Sequence, residues 1–261
     1  MQLQCKDLQA GYGEHIIIDK LNLTLPEGKV TALIGPNGCG KSTLLKTLCR
    51  IQAPLRGAVL LDGKNIRQTD TRVLARKLAI LPQNPVAPEG LSVQELVSYG
   101  RAPYHSRFVT RSTTEDNDMV AWALQETDME ELASRPLKEL SGGQLQRAWI
   151  AMVIAQNTEI LCLDEPTSFL DISHQLEVLT LIRHLNEKYQ KTIVMVIHEL
   201  NAAARFSDYL LAMKDGNICY AGTPAEIFHA QMLADVFGVE AEVLTDAKTG
   251  KLYCLPYAVK K

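Results

Sequence analysis

The chain has 261 residues, 46% of them hydrophobic, with 27 Lys and Arg against 30 Asp and Glu and a net charge of −3. That balance excludes a global field for recruiting nucleic acid or anionic lipid, and no apolar run (the longest spans 148–155) reaches the length of a membrane span. Six cysteines scattered without CxxC pairs suit reduced thiols rather than a disulfide frame or a zinc site. The opening residues lack the charged-then-apolar pattern of a signal peptide, so a cytoplasmic location is expected.

Residues 3–8 alternate weakly and read as a strand. Gly11-Tyr12-Gly13 reads as a turn carrying an aromatic, and 15–19 and 21–25 as two further short strands. Pro26-Glu27-Gly28 then turns the chain into an apolar strand over 30–34. Next come Gly35-Pro36-Asn37-Gly38-Cys39-Gly40-Lys41-Ser42-Thr43 and a helix-like stretch at 44–49. The spacing GxxxxGK(S/T), set between a buried strand and a helix N-terminus, makes a cradle of inward N–H groups for phosphates. A merely flexible loop would not need that flanking context. Lys41 is placed to reach the β and γ phosphates, and the Ser42 hydroxyl to hold Mg²⁺. Cys39, near the helix start, is expected to have a lowered thiol pKa.

A tight hairpin is expected over 59–66 around Asp62-Gly63, and a strand over 78–81 ending at Pro82-Gln83. From 86 to 157 no clear strand appears; helical patterns recur at 93–99, 115–124 and 144–156. Apolar runs at 160–163 and 193–197 read as strands covered on both faces, with a long helix over 175–189 between them. A hairpin at 208–213 and 218–221, short helices at 224–228 and 232–237, and a last hairpin at 241–244 and 251–254 close the chain. The expected organisation is one α/β domain. Its core, residues 1–85 and 158–238, includes an antiparallel β layer; a helical subdomain is inserted at 86–157, and 239–261 is a C-terminal hairpin extension. No internal repeat or heptad run is present.

Two further constellations carry chemistry. The strand over 160–163 ends in Asp164-Glu165, and carboxyl ends of parallel strands are where ligands sit. Beside a phosphate loop, Asp164 would hold Mg²⁺ and Glu165 could accept a proton from attacking water. Leu140-Ser141-Gly142-Gly143-Gln144 places Ser141 as helix N-cap and bares two glycine N–H groups. This second anion cradle has no lysine-bearing loop of its own, which suggests that it closes on a nucleotide held elsewhere.

The ordered set formed by residues 35–43, Gln83, Leu140 to Gln144, Leu163-Asp164-Glu165-Pro166, Ser168-Phe169-Leu170-Asp171 and His198 resembles ABC-transporter ATPase subunits over residues 1–235. The resemblance implies a P-loop (RecA-like) core, ATP and Mg²⁺ as cofactors, and a head-to-tail homodimer. ATP would lie between one phosphate loop and the opposite Ser141–Gly143 segment. It further implies that Tyr12 stacks on adenine, that Gln83 reaches Mg²⁺ and the attacking water, that His198 contacts the γ-phosphate, and that Asp171 lies at the dimer seam. Two departures are visible, Glu199 after His198 where relatives often have Asp, and Phe169 where a smaller residue is common; neither removes a catalytic group.

The motifs at 100–104, 146–152 and 171–177 look like ATPases of bacterial iron(III)–siderophore importers; cobalamin and haem importers are close relatives. That resemblance implies partner permease subunits, indirectly an extracytoplasmic binding protein, no nucleic acid, and a position at the inner face of the cell membrane. Residues 91–111, with Arg101, Arg107 and Arg111, would face the permease, while His174 reads as a seam or surface residue rather than an iron ligand. A soluble ABC ATPase acting on ribosomes or DNA is the alternative class. It usually brings a second cassette or coiled-coil insertions, and this chain has neither.

Overall fold

Alternating burial organises the start of the chain into an antiparallel layer. In the computed structural model, which describes residues 1–105 and 112–260, β1 (Leu3–Tyr12) pairs antiparallel with β2 (His15–Thr24). One continuous strand replaces the two expected at 15–19 and 21–25. A bulge absorbs the apparent break: Leu8 pairs with Leu21 but Ala10 with Ile18, and Lys20 sits at φ 51°. Then follow the fully buried β3 (Val30–Ile34) and α1 (Lys41–Leu48), which starts directly from Gly40, three residues before the expected 44. The hairpin β4 (Arg56–Leu61) and β5 (Lys64–Asn65) completes a sheet of order β2-β1-β4-β5. The short α2 (Thr71–Ala75), which no apolar period announces, is started by Asp70, whose carboxylate accepts the Arg72 and Val73 N–H groups.

After β6 (Leu78–Leu81), the described residues up to 159 hold helices and 3-10 turns and no strand. α3 (Val93–Ser98), α4 (Thr114–Glu126) and α5 (Gly142–Ala155) each begin with a capping box, respectively Ser92 with Glu95, Thr113 with Asp116, and Ser141 with Gln144. Arg101 corrects the expectation of a basic surface here. It is 1% exposed, its guanidinium donating to Asp116 (2.9 Å) and to the Ala155 carbonyl (2.9 Å) and lying over the Tyr104 ring. A planar, always-charged fork suits such a buried bridge. Arg107 and Arg111 lie outside the described residues.

The chain then alternates β7 (Ile160–Asp164), α6 (Ile172–Tyr189), β8 (Thr192–Val196), α7 (Leu200–Phe206), β9 (Tyr209–Lys214) and β10 (Asn217–Gly222). α8 (Pro224–Ile227), α9 (Ala230–Phe237) and the hairpin β11 (Val239–Thr245)/β12 (Leu252–Val259) follow. The main sheet has the order β10-β9-β3-β8-β7-β6, parallel from β9 to β6. Its period-two alternation feeds two cores. Val30, Ala32, Ile34, Leu161, Leu163, Ile193 and Met195 face the helices, whereas Leu33, Ile160, Cys162, Val194 and Val196 face α1 and the antiparallel layer. Each fully buried Leu, Ile or Val side chain contributes roughly 1.5–3 kcal/mol.

Polar ties fix the outer parts to this core. Glu126 on α4 accepts from Lys188 and Tyr189 on α6 (both 2.8 Å), and the Trp122 indole donates to the Tyr189 hydroxyl. Asn201 on α7 bonds the backbone of Cys254 in both directions, docking the terminal hairpin.

Candidate nucleotide site

Four neighbouring parallel strands end on one edge of the sheet and deliver the chemistry together. β3 leads into the phosphate loop, β8 into His198, β7 into Asp164 and Glu165, and β6 into Gln83. Between them lies a cavity of about 540 Å³ lined by Asn37, Gly38, Gly40, Lys41, Ser42, Thr43, Gln83, Glu165 and His198. Ile17, which carried no signal in the sequence, forms its apolar wall and touches Gly40.

The loop is shaped by what its glycines exclude. At Gly35 (φ 152°) a Cβ would stand 2.2 Å from the Met213 carbonyl oxygen, so only glycine fits where the loop leaves β3. Lys41 is 5% exposed and donates to the carbonyls of Gly35 (2.8 Å) and Pro36 (3.0 Å). The ammonium therefore rests inside the cradle on backbone oxygens. Cys39 departs from expectation: burial pushes its thiol pKa up, outweighing the Lys41 charge and the neighbouring N–H groups that pull it down. Its side chain packs inward, 4% exposed, against Gly35.

The Ser42 hydroxyl donates to Asp164 Oδ1 (2.9 Å), while Asp164 Oδ2 is buried with no partner among the described residues. Burial pushes the Asp164 carboxyl upward, and the Ser42 bond offsets only part of that. A carboxylate oxygen left bare beside a hydroxyl at the foot of a phosphate cradle fits Mg²⁺, a hard cation that takes oxygen ligands and keeps much of its water. Gln83, expected at the same cation, lines the same cavity and donates to Glu165.

Glu165 is the hub of the opposite wall. Its Oε1 lies 2.6 Å from His198 Nε2, and its Oε2 accepts from Gln83 (2.6 Å) and the Ser168 hydroxyl (2.7 Å). Burial pushes its pKa up, but the His198, Ser168 and Gln83 hydrogen bonds prevail and hold it below the usual carboxylate value. It is thus ionised and aimed, as a proton acceptor must be. Its backbone sits at φ 53°, a strained setting for a non-glycine residue at a strand end. The Ser168-Phe169-Leu170-Asp171 motif does not by itself assign Ser168 a role; its three-residue distance from Glu165 is the signal in the sequence that points to this bond.

Other expected residues lie apart. Tyr12 ends β1, 56% exposed, outside the cavity lining. None of Ser141, Gly142, Gly143 and Gln144 lines the cavity either. Ser141 caps α5, its hydroxyl accepting the Gln144 N–H while its own N–H donates to the Gln144 side chain. Asp171 caps α6, so that helix begins at Ile172, three residues before the expected 175. Phe169, between them, is 90% exposed at φ 65°.

A strand–loop–helix phosphate cradle, an orphaned strand-end aspartate and an aimed glutamate define a P-loop nucleoside triphosphatase. The chain belongs to the ABC transporter family, whose profile matches residues 18–168. It is 52% identical over 259 residues to the iron(3+)-hydroxamate import ATP-binding protein FhuC of Bacillus subtilis (strain 168), covering 99% of this chain and 96% of that one. It is 43% identical over 255 residues to the ferric enterobactin transport ATP-binding protein FepC of Escherichia coli (strain K12), covering 98% and 94%. Among solved structures, the dimeric post-hydrolysis ATP-binding cassette MJ0796 bound to ADP and Pi superposes with a TM-score of 0.72 at 29% identity, over 85% of this chain and 98% of that chain.

Proposed function

We propose that this chain is the ATP-hydrolysing subunit of an importer of iron(III)–siderophore complexes. In this reading it works as a pair of copies on partner permease subunits at the inner face of the membrane. One observation carries the two-copy reading: the Ser141–Gln144 cradle is complete and capped yet lines no part of the cavity that holds Lys41. A second copy, head to tail, would bring it over the phosphates. The dimeric MJ0796 cassette supports that arrangement, and the names of FhuC and FepC support the cargo. Among the described residues no helix is long and apolar enough to cross a membrane, which accords with a transport path in partner subunits.

On this reading Lys41 exchanges its two carbonyl partners for phosphate oxygens, while Ser42 and Asp164 hold Mg²⁺. When bound, the ion neutralises charge on the phosphates. Glu165 accepts the proton of the attacking water, His198 and Ser168 fix the direction in which its oxygens point, and Gln83 relays the state of this wall to the helices after β6. Residues 1–85 and 158–238 act as the nucleotide-binding core, and 86–157 as the helical subdomain that meets the permease.

Uptake of radiolabelled iron–siderophore tests the cargo. Cells whose only copy carries Lys41→Ala should lose it, and the wild-type chain should co-purify with membrane permeases. Loss of cobalamin or haem uptake instead would move the cargo, and co-purification with ribosomes or DNA would overturn the transport reading.

A further inference from the structure

The start of α6 is laid against the two glycines that open α5. Gly143 is buried, and a Cβ built on it would stand 2.1 Å from His174 Cδ2; one built on Gly142 would stand 3.8 Å from Leu170 Cδ2. The His174 ring is therefore in van der Waals contact with the backbone of the cradle. It is also held from behind, since Nδ1 lies 2.8 Å from Asp171 Oδ1. That same oxygen accepts the backbone N–H of His174 (3.0 Å) and the Ser173 hydroxyl (2.8 Å), so the carboxylate cannot swing. These bonds, the His174 N–H foremost, hold the Asp171 pKa at about 2, which keeps it an acceptor throughout the working range. Because a carboxylate only accepts, the ring proton sits on Nδ1.

We propose that His174 is a positioning residue that wedges the Gly142–Gly143 backbone at a fixed height and angle over Asp171, so that the two N–H groups are presented to a nucleotide bound by a second copy. Those N–H groups carry no hydrogen bond among the described residues, and the Gln144 N–H is already taken by Ser141. They are the free donors of this cradle. A donor set must be held within a fraction of an ångström to stabilise charge developing on a phosphoryl group; loosening of about 1 Å can cost on the order of a hundredfold. A ring pressed on a glycine supplies that stiffness, and it also makes Asp171 and the cradle move as one piece. The proposal rests on the two-copy reading of the site.

The test uses the purified full-length chain with MgATP. His174→Ala should lower kcat at saturating ATP about tenfold or more. Binding of a fluorescent ATP analogue to the single chain and the melting temperature should stay close to wild type, because the phosphate loop is untouched. His174→Asn, whose amide can occupy the Nδ1 position, should recover kcat to within about threefold, whereas His174→Leu, which keeps bulk without the Asp171 bond, should not. A kcat for His174→Ala within twofold of wild type, or equal loss in the Asn and Leu variants, overturns the proposal. Ser141→Ala separates the two ideas. If it is slow while His174→Ala is not, only this proposal falls; if it too keeps full turnover, the two-copy reading falls.

Discussion

Glu165 and His198 meet across 2.6 Å at the ends of the adjacent strands β7 and β8, and each fixes the other's direction. The pair makes Glu165 the group to remove. Glu165→Gln should keep ATP affinity, form a stable ATP-bound dimer in gel filtration, and hydrolyse at least a hundredfold more slowly, the usual range for a lost general base. Wild-type turnover in that variant would take the base role away from Glu165.

Lys41 is predicted to govern affinity rather than chemistry alone. Its ammonium already occupies the cradle, so Lys41→Ala leaves the loop carbonyls of Gly35 and Pro36 facing incoming phosphates with no cation between. Equilibrium titration should give ATP binding weaker by about tenfold or more, and an unchanged Kd would refute this.

Cys39 should be a slow thiol. Burial raises its pKa and hides it, so alkylation at neutral pH should trail that of the exposed Cys219 by about tenfold or more, read by mass spectrometry of timed samples. Equal rates would mean that the loop opens far more often than its packing implies.

The Arg101–Asp116 bridge should be structural. Removing one partner strands the other as a buried charge, so Asp116→Ala should cost about 3–5 kcal/mol in urea unfolding. Burial pushes the Asp116 carboxyl up, but Thr113, Arg101 and His105 prevail and hold it well below the ordinary carboxylate value. A depressed folded pKa contributes stability that is present above the unfolded value and lost as the pH falls through the folded one. Wild-type stability should therefore decline in that acid window, and the Asp116→Ala variant should lack this component of the decline.

The parts of the fold with strong local signals were legible: the buried strands by their apolar runs, the phosphate loop by spacing, α5 by its Ser141 cap. Three parts were hidden for physical reasons. β2 looked like two strands because a bulge at Lys20 breaks the period without breaking the strand. α7 follows Glu199, an N-cap residue whose side chain makes no cap bond, and spans only Leu200–Phe206, too short for periodicity to show; tertiary packing against β3 and the terminal hairpin creates it. Arg101 reads as surface charge in any window of the sequence, and only the distant Ala155 carbonyl and Asp116 reveal that it is interior. The candidate site followed the same rule. Glu165 and His198 were visible as strand-end residues, but the Ser168 bond and the Ile17 wall depend on a chain path that no local pattern encodes.

The resting place of Lys41 has a calorimetric consequence. Because the Lys41 ammonium is already held by the carbonyls of Gly35 and Pro36 at the buried end of β3, nucleotide entry would swap carbonyl oxygens for phosphoryl oxygens without ordering a new segment. Single-chain ATP association should then show a negative heat-capacity change no larger than the apolar area covered at Tyr12 and Ile17 requires, well short of the large negative value that accompanies ordering of a segment.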